Sequence, residues 1–290
     1  MAISLDTKTA KVWLLHIRGA SLLRLSLNIC REVCLYIGWL PLLPCIYGKH
    51  LQVLNYSTGQ STQVLLDLEL GDTWMYCLVE DRLVLGVEDA TAIELNLHTC
   101  HIVTVGSLGV GRKWPGMAQF RDFAYVFGGN VTPALSSCEK YSLKTKSWSR
   151  IGNMRAPKSC FTPCRVQNEF YLCCFHSKGS PFEAFNPLTE TFRCLPVGHQ
   201  SCMNGSVAFL VETTIYIAAY DDVLVKWQIS KNELEPVVKL QLGNRDLGSS
   251  NIPPVRMGNK VHWVCYSNGN LVTFDIERDL VTFQDFFNEH

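Results

Sequence analysis

The sequence lacks an excess of charge of either sign. Its 26 lysines and arginines balance 26 aspartates and glutamates, and charged residues make up only 18% of its 290 residues. Since no global field would draw the chain to nucleic acid or to an anionic membrane, we predict that it binds neither. Apolar residues make up 47% of the chain, which excludes general disorder and suffices for a large buried core.

The chain also lacks the cysteine pattern of a secreted disulfide scaffold. Its 13 cysteines are an odd number, are scattered along the sequence and include no CxxC pair. Disulfide-rich secreted domains are short and evenly paired, and no leader peptide is recognisable at the N-terminus. We therefore expect most of the thiols to be reduced and buried, and the protein to be cytoplasmic.

Long uninterrupted apolar runs are missing as well. The charge-free run 33–48 contains Pro41 and Pro44 and is too short to span a bilayer. Residues 20–38 place apolar side chains at steps of three and four, which predicts a helix that ends at Gly38. We predict an N-terminal helical segment of residues 1–39, followed by one domain of residues 40–290.

What the sequence does contain is a repeat. Residues 123–148 hold an apolar run, the pair Gly128–Gly129, then Tyr141 and, seven residues later, Trp148. Similar segments recur when the chain is aligned on Tyr141, and all but the first have a second apolar residue seven positions after the anchor. The first anchor has only a looser partner near Gln63. The six anchors, 41 to 47 residues apart, are Leu54, Leu95, Tyr141, Phe185, Trp227 and Phe274.

The unit of residues 123–148 resembles the kelch repeat, in which a strand ends in two glycines and a Tyr and a Trp follow. The resemblance implies one blade of a β-propeller, a four-stranded antiparallel sheet that cannot bury both faces alone. Cys173–Cys174 and Ala218–Ala219 replace the glycine pair in two later units and keep small residues there. The six units predict an all-β fold, a six-bladed kelch-type β-propeller after the short N-terminal helical segment.

Few residues suggest chemistry. No GxSxG or HExxH motif occurs, and the glycine-rich stretch 106–111 is not followed by the Lys-Ser/Thr pair of a phosphate-binding loop. Cys160, Cys164 and His176 invite a zinc interpretation, but cysteines four residues apart on a strand lie about 13 Å from each other. We predict no catalytic residue, no metal site and no cofactor.

The resemblance implies that partners bind to loops at one end of the propeller. Basic loop residues of the Tyr141 and Phe185 units lie next to a mixed sector, so we expect a monomeric propeller that binds an acidic protein or peptide. The candidate partner-binding residues are Arg112, Lys113, Trp114, Arg155, Lys158, His176, Lys178, Asp221, Asp222 and Arg245.

Two other functions stay open, because a fold alone does not select a function. The chain could be the substrate receptor of a ubiquitin ligase, with residues 20–48 gripping a helical scaffold. It could also be a propeller enzyme, since some kelch-type propellers are lyases, isomerases or copper oxidases. The enzyme would need polar side chains at the channel mouth, for which the candidates are Glu88, Asp89, His176, Asp221 and Asp222.

Overall fold

The computed structural model describes residues 2–6, 11–15, 42–55, 60–70, 73–80, 83–97, 99–174, 181–195, 206–219, 223–230, 233–239, 250, 253–265 and 270–285. These residues form antiparallel β-sheets and contain no helix. In this part of the chain there is accordingly no helix long and apolar enough to cross a membrane.

Five consecutive sheets are the blades of a β-propeller, and each is a meander in which neighbouring strands pair in chain order. Blade 1 has three strands, β5 (Met75–Glu80), β6 (Leu83–Asn96) and β7 (Ile102–Arg112). Blade 2 consists of β8 (Gly116–Phe120), β9 (Phe123–Phe127), β10 (Cys138–Ser142) and β11 (Ser147–Ile151). Blade 3 consists of β12 (Cys164–Val166), β13 (Glu169–Leu172), β14 (Glu183–Asn186) and β15 (Thr191–Cys194).

The last two blades follow the same order. Blade 4 consists of β16 (Ser206–Val211), β17 (Thr214–Ala219), β18 (Val223–Gln228) and β19 (Glu233–Lys239). Blade 5 consists of β20 (Val255–Met257), β21 (Lys260–Val264), β22 (Asn270–Asp275) and β23 (Leu280–Asp285). Two hairpins precede the blades, one of β1 (Ala2–Asp6) and β2 (Lys11–Leu15), the other of β3 (Leu42–Asn55) and β4 (Gln60–Leu70).

The predicted phase of the repeat is confirmed in all five blades, because each anchor lies directly opposite the residue seven positions later. The cross-strand pairs are Leu95 with Ile102, Tyr141 with Trp148, Phe185 with Phe192, Trp227 with Leu234, and Phe274 with Val281. In four of these hairpins the residue five positions after the anchor has positive φ, namely Cys100, Lys146, Glu190 and Asp279. This turn geometry explains why the seven-residue step recurs.

The core consists of layers between successive blades. The anchor side chains of the five blades are each at most 1% exposed. Blade 2 packs on blade 3 through aromatic rings, with Phe185 lying 5.2 Å from both Tyr125 and Phe127. Burying an aromatic side chain of this size contributes about 1.5–3 kcal/mol, so stacking neighbours is what makes each sheet stable.

The predicted number of six blades is wrong, since the described residues form five. Leu54 belongs to the hairpin β3–β4, where its partner is Ser61 and not a residue near Gln63. No further strand among the described residues pairs with this hairpin. Instead, its residues Ile46, Leu66 and Leu70 pack on blade 1. The hairpin therefore covers one face of blade 1 and is not a blade itself.

The predicted helix of residues 20–38 lies outside the described residues, as does most of the segment 20–48 assigned to gripping a scaffold. Ala2–Asp6 and Lys11–Leu15 within the predicted helical segment pair as strands. The division of the chain at residues 39 and 40 stays a prediction.

We expect blade 5 to make folding sensitive to acid through His262. Its ring is buried and lies 2.9 Å from the Thr273 hydroxyl oxygen, and burial lowers its pKa from 6.5 to about 4. Between these two values the unfolded chain binds the proton and the folded one does not, so stability is complete above pH 6.5 and falls as the pH drops toward 4.

The loss attributable to His262 should be about 2 kcal/mol between pH 7 and pH 5. Urea unfolding at both pH values measures it. The variant His262→Gln should reduce the difference by that amount, because glutamine does not titrate. An unchanged difference in the variant would contradict the assignment.

Candidate partner-binding surface

The meander of each blade separates two faces of the propeller. The loops joining second to third strands and the linkers between blades meet on one face, which we name the loop face. The turns joining first to second and third to fourth strands meet on the other, the turn face. The loop face is uneven: ten residues join the second and third strands in blade 2 (128–137) and in blade 3 (173–182), but only three in blade 4 and five in blade 5.

A buried ion pair holds the base of the long loop of blade 2. Arg112 is 0% exposed, and its Nη2 lies 2.5 Å from Oε1 of Glu139 on β10. Arg112 Nη1 donates to the carbonyls of Gly128 and Ser137, both at 2.8 Å, which are the two ends of the loop 128–137. Burial lowers the pKa of Arg112, and the nearby Glu139 charge opposes this effect. The guanidinium stays charged, so it clamps the loop electrostatically.

Glu139 also joins blade 2 to blade 1. Its carboxylate accepts the backbone N–H groups of Gly109, at 2.7 Å, and of Val110, at 3.3 Å, on β7. A carboxylate with two N–H donors and a guanidinium has its hydrogen-bonding capacity largely met, which is what allows it to be buried.

The same arrangement recurs in blade 3 with lysine in place of arginine. Lys158 is 0% exposed, and its Nζ lies 3.5 Å from Oε1 of the buried Glu183 on β14. Lys158 Nζ donates to the carbonyls of Cys174, at 3.4 Å, and Pro181, at 2.6 Å, near the two ends of the loop 173–182. Glu183 accepts the N–H groups of Arg155, at 2.8 Å, and Ala156, at 3.2 Å. We name these two arrangements the clamps.

The clamps occur in the same two blades that have the ten-residue loops. Glu139 and Glu183 each lie two residues before the anchor, and the corresponding positions in the other blades are the buried residues Ile93, Val225 and Val272. Sequence reasoning missed the two glutamates, although an acidic residue two positions before an aromatic anchor, where other units have an aliphatic one, was a visible signal.

The two loops are physically coupled. The Gly129 N–H donates to the Lys158 carbonyl at 2.8 Å, and the Lys158 N–H donates to the Leu135 carbonyl at 3.2 Å. The Lys158 backbone therefore holds the loop of blade 2 while its side chain holds that of blade 3. Above this base, the tip of the first loop is open to solvent, with Val131 55% exposed.

Of the ten predicted partner-binding residues, two are buried, three are at least partly exposed, and five lie outside the described residues. Arg112 and Lys158 are buried in the clamps, so neither side chain is available to a partner. Lys113 and Arg155 are exposed on the loop face, and Trp114 is half-buried, with its N–H donating to Thr73 of blade 1 and its carbonyl accepting from Cys160. His176, Lys178, Asp221, Asp222 and Arg245 lie outside the described residues.

The exposed cations of the loop face have no acidic neighbours in their own segments. Residues 106–115, 128–137, 152–163 and 173–182 contain no aspartate or glutamate. Glu139 and Glu183 neutralise only the buried cations Arg112 and Lys158. Lys113 and Arg155 are therefore the exposed charges in the described parts of these segments, and the nearby acidic residue is Asp89, which lies opposite Arg112 across β6 and β7.

The described residues offer little for catalysis. No group of three or more His, Cys, Asp or Glu side chains among them could hold a metal ion. Burial raises the pKa of Cys77, Cys138 and Cys164 to about 12, so these thiols are protonated at neutral pH. Protonated buried thiols are poor nucleophiles and poor metal ligands. Of the candidates for an enzyme, Glu88 is half-buried and Asp89 is exposed at the bend of β6.

Comparison with known proteins agrees with this geometry. The kelch motif matches residues 124–155, which run from β9 through both strands of the following hairpin into the next linker. A solved structure titled "Structure of YjhT" superimposes with a TM-score of 0.54 at 11% sequence identity, over 67% of this chain and 72% of that one, which shows a shared fold. No curated protein sequence matches the chain. The chain is a β-propeller that carries a kelch motif at residues 124–155.

Proposed function

We propose that the protein is a non-catalytic interaction module that binds a protein or peptide on its loop face, at blades 2 and 3. The observation that carries the proposal is the pair of clamps, which hold both ends of the only two ten-residue loops among the described blades. A loop whose two ends are fixed before binding loses less conformational freedom when a partner docks, so such a base favours recognition.

The chemistry of the face indicates the kind of partner. Lys113 and Arg155 are exposed, and no acidic residue lies in the segments that carry them. The exposed Val131 adds an apolar contact, and it follows Asn130, which pairs with Lys113. An acidic protein or peptide with an apolar residue would complement this surface. The nine cysteines whose side chains the structure describes are free, which is consistent with a reducing compartment such as the cytoplasm.

The test is a charge reversal on the loop face. Wild type and the double variant Lys113→Glu/Arg155→Glu are used to capture proteins from a lysate, and proteins that depend on the two cations are identified by mass spectrometry. The strongest of them is then purified and titrated against both forms. We expect the variant to weaken its binding by about 10- to 100-fold.

A matched control reverses two exposed cations of blade 5, Lys260→Glu/Arg278→Glu, on the turn face. The control should keep the affinity within about twofold, because surface charges far from the partner are screened. If no captured protein distinguishes the two double variants, the loop face is not the binding surface.

A further inference from the structure

Two arginines on the turn face share one aromatic ring. Phe120 ends β8, and its ring is almost fully buried. The guanidinium carbon of Arg121, in the turn that follows, lies 5.2 Å from the ring centre, and that of Arg165, on β12 of the next blade, lies 5.3 Å from it. Both distances are typical of cation–π contacts. Two positive charges are thus fixed beside one ring where blades 2 and 3 meet.

Four neighbouring cations, Lys140, Lys144, Lys146 and Arg193, are paired with carboxylates, but these two are not. Within the described residues, neither Arg121 nor Arg165 forms an ion pair. The carboxylates closest to them in sequence are engaged elsewhere. The ion pairs of this region are Asp122 with Lys144 at 2.8 Å, Glu94 with Lys146 at 2.6 Å, Glu169 with Arg193 at 2.5 Å, and Glu190 with Lys140.

The Arg165 side chain is held in place before any ligand arrives. Its Nε donates to the Gln167 carbonyl at 3.2 Å, which leaves the terminal nitrogens as donors. Burial lowers the pKa of Arg165, so its charge is partly withdrawn from water, although it stays protonated. A guanidinium fixed by stacking loses little freedom when it binds a carboxylate, which strengthens the contact.

We infer that Phe120, Arg121 and Arg165 form a second docking surface, opposite the loop face, for an acidic segment of a partner protein. Each guanidinium is tied to the ring and has no carboxylate of its own, so two acidic side chains of the segment, one for each arginine, complete the charge balance.

The probe is a synthetic peptide with four aspartates alternating with alanines, titrated by calorimetry. The experiment is done in the variant Lys113→Gln/Arg155→Gln, which removes the exposed loop-face charges. Its outcome is thereby independent of the proposed function. We expect saturable one-to-one binding, weakened at least about tenfold when Arg121→Gln/Arg165→Gln is added. Adding Lys260→Gln/Arg278→Gln instead should change the affinity less than about twofold.

Thermal unfolding of each variant checks that the fold is intact. If the variant with Arg121→Gln/Arg165→Gln does not fold, Arg121→Lys/Arg165→Lys replaces it. The lysines keep both charges but lack the planar guanidinium group, so this variant should still bind the peptide measurably more weakly. Three results overturn the inference. They are the absence of saturable peptide binding, equal weakening by the arginine pair of substitutions and by the control pair in blade 5, and displacement of the peptide by inorganic phosphate at equal concentration.

Discussion

Replacing Glu139 with alanine should lower the free energy of unfolding by about 3–5 kcal/mol. The variant leaves the Arg112 guanidinium 0% exposed without its carboxylate partner, and it leaves the Gly109 and Val110 N–H groups without their acceptor. An unpaired charge in the interior is among the most destabilising changes a single substitution can make. Urea unfolding followed by tryptophan fluorescence measures the loss.

The matched control is Glu169→Ala, which breaks the Arg193 pair. That pair is half-open to solvent, with side chains 50% and 24% exposed, so its loss should cost at most about 1 kcal/mol. Similar losses in the two variants would show that the Glu139 carboxylate is not withdrawn from water, and the account of the clamp would be wrong.

A double replacement separates stability from loop order. Blade 4 has the apolar Val225 at the position of Glu139, two residues before its anchor. Arg112→Met/Glu139→Val should therefore recover most of the lost stability, since buried ion pairs can be replaced by well-packed apolar side chains. It should not restore the hydrogen bonds to Gly128 and Ser137. Faster amide exchange in residues 129–135, together with weaker partner binding, is the expected signature.

The sequence predicted those features that depend on local geometry. The seven-residue step from each anchor follows from a hairpin with a tight turn, and the period of the anchors follows from blades of similar size. The number of blades does not follow from either. Leu54 has the same step, to Ser61, because any hairpin with that turn length produces it, and only the pairing of β3 and β4 with further strands could have made a blade.

The site was only partly predictable, because its key contacts join residues far apart in the chain. Arg112 and Lys158 look like exposed loop cations in the sequence, and they become buried only because Glu139 and Glu183 reach them from 27 and 25 positions away. The sequence shows only that a pair of small residues follows the second strand in several units. In blade 2 the structure gives a specific reason, since both glycines have positive φ and blade 3 has cysteines at the same place without it.

The second large effect should come from Gly128→Ala. Gly128 has a φ of +59°, and a Cβ there would lie 2.2 Å from the Lys158 carbonyl oxygen and 2.9 Å from that of Leu135. Both obstacles are backbone atoms, so they cannot turn aside as a side chain could. Strain in the left-handed region and the forced displacement together should cost about 3–5 kcal/mol.

The control for this prediction is Gly258→Ala in blade 5, where φ is +56° and nothing lies within 4 Å of the added Cβ. This variant should lose only about 1 kcal/mol of stability, because it adds backbone strain but no steric contact. The difference in urea midpoint between the two variants therefore measures the cost of the close contact with Lys158. Because the Lys158 backbone is displaced only by the first substitution, Gly128→Ala should also loosen the loop of blade 3. Equal losses in the two variants would mean that the Lys158 segment moves freely, and the coupling of the two loops would then be absent.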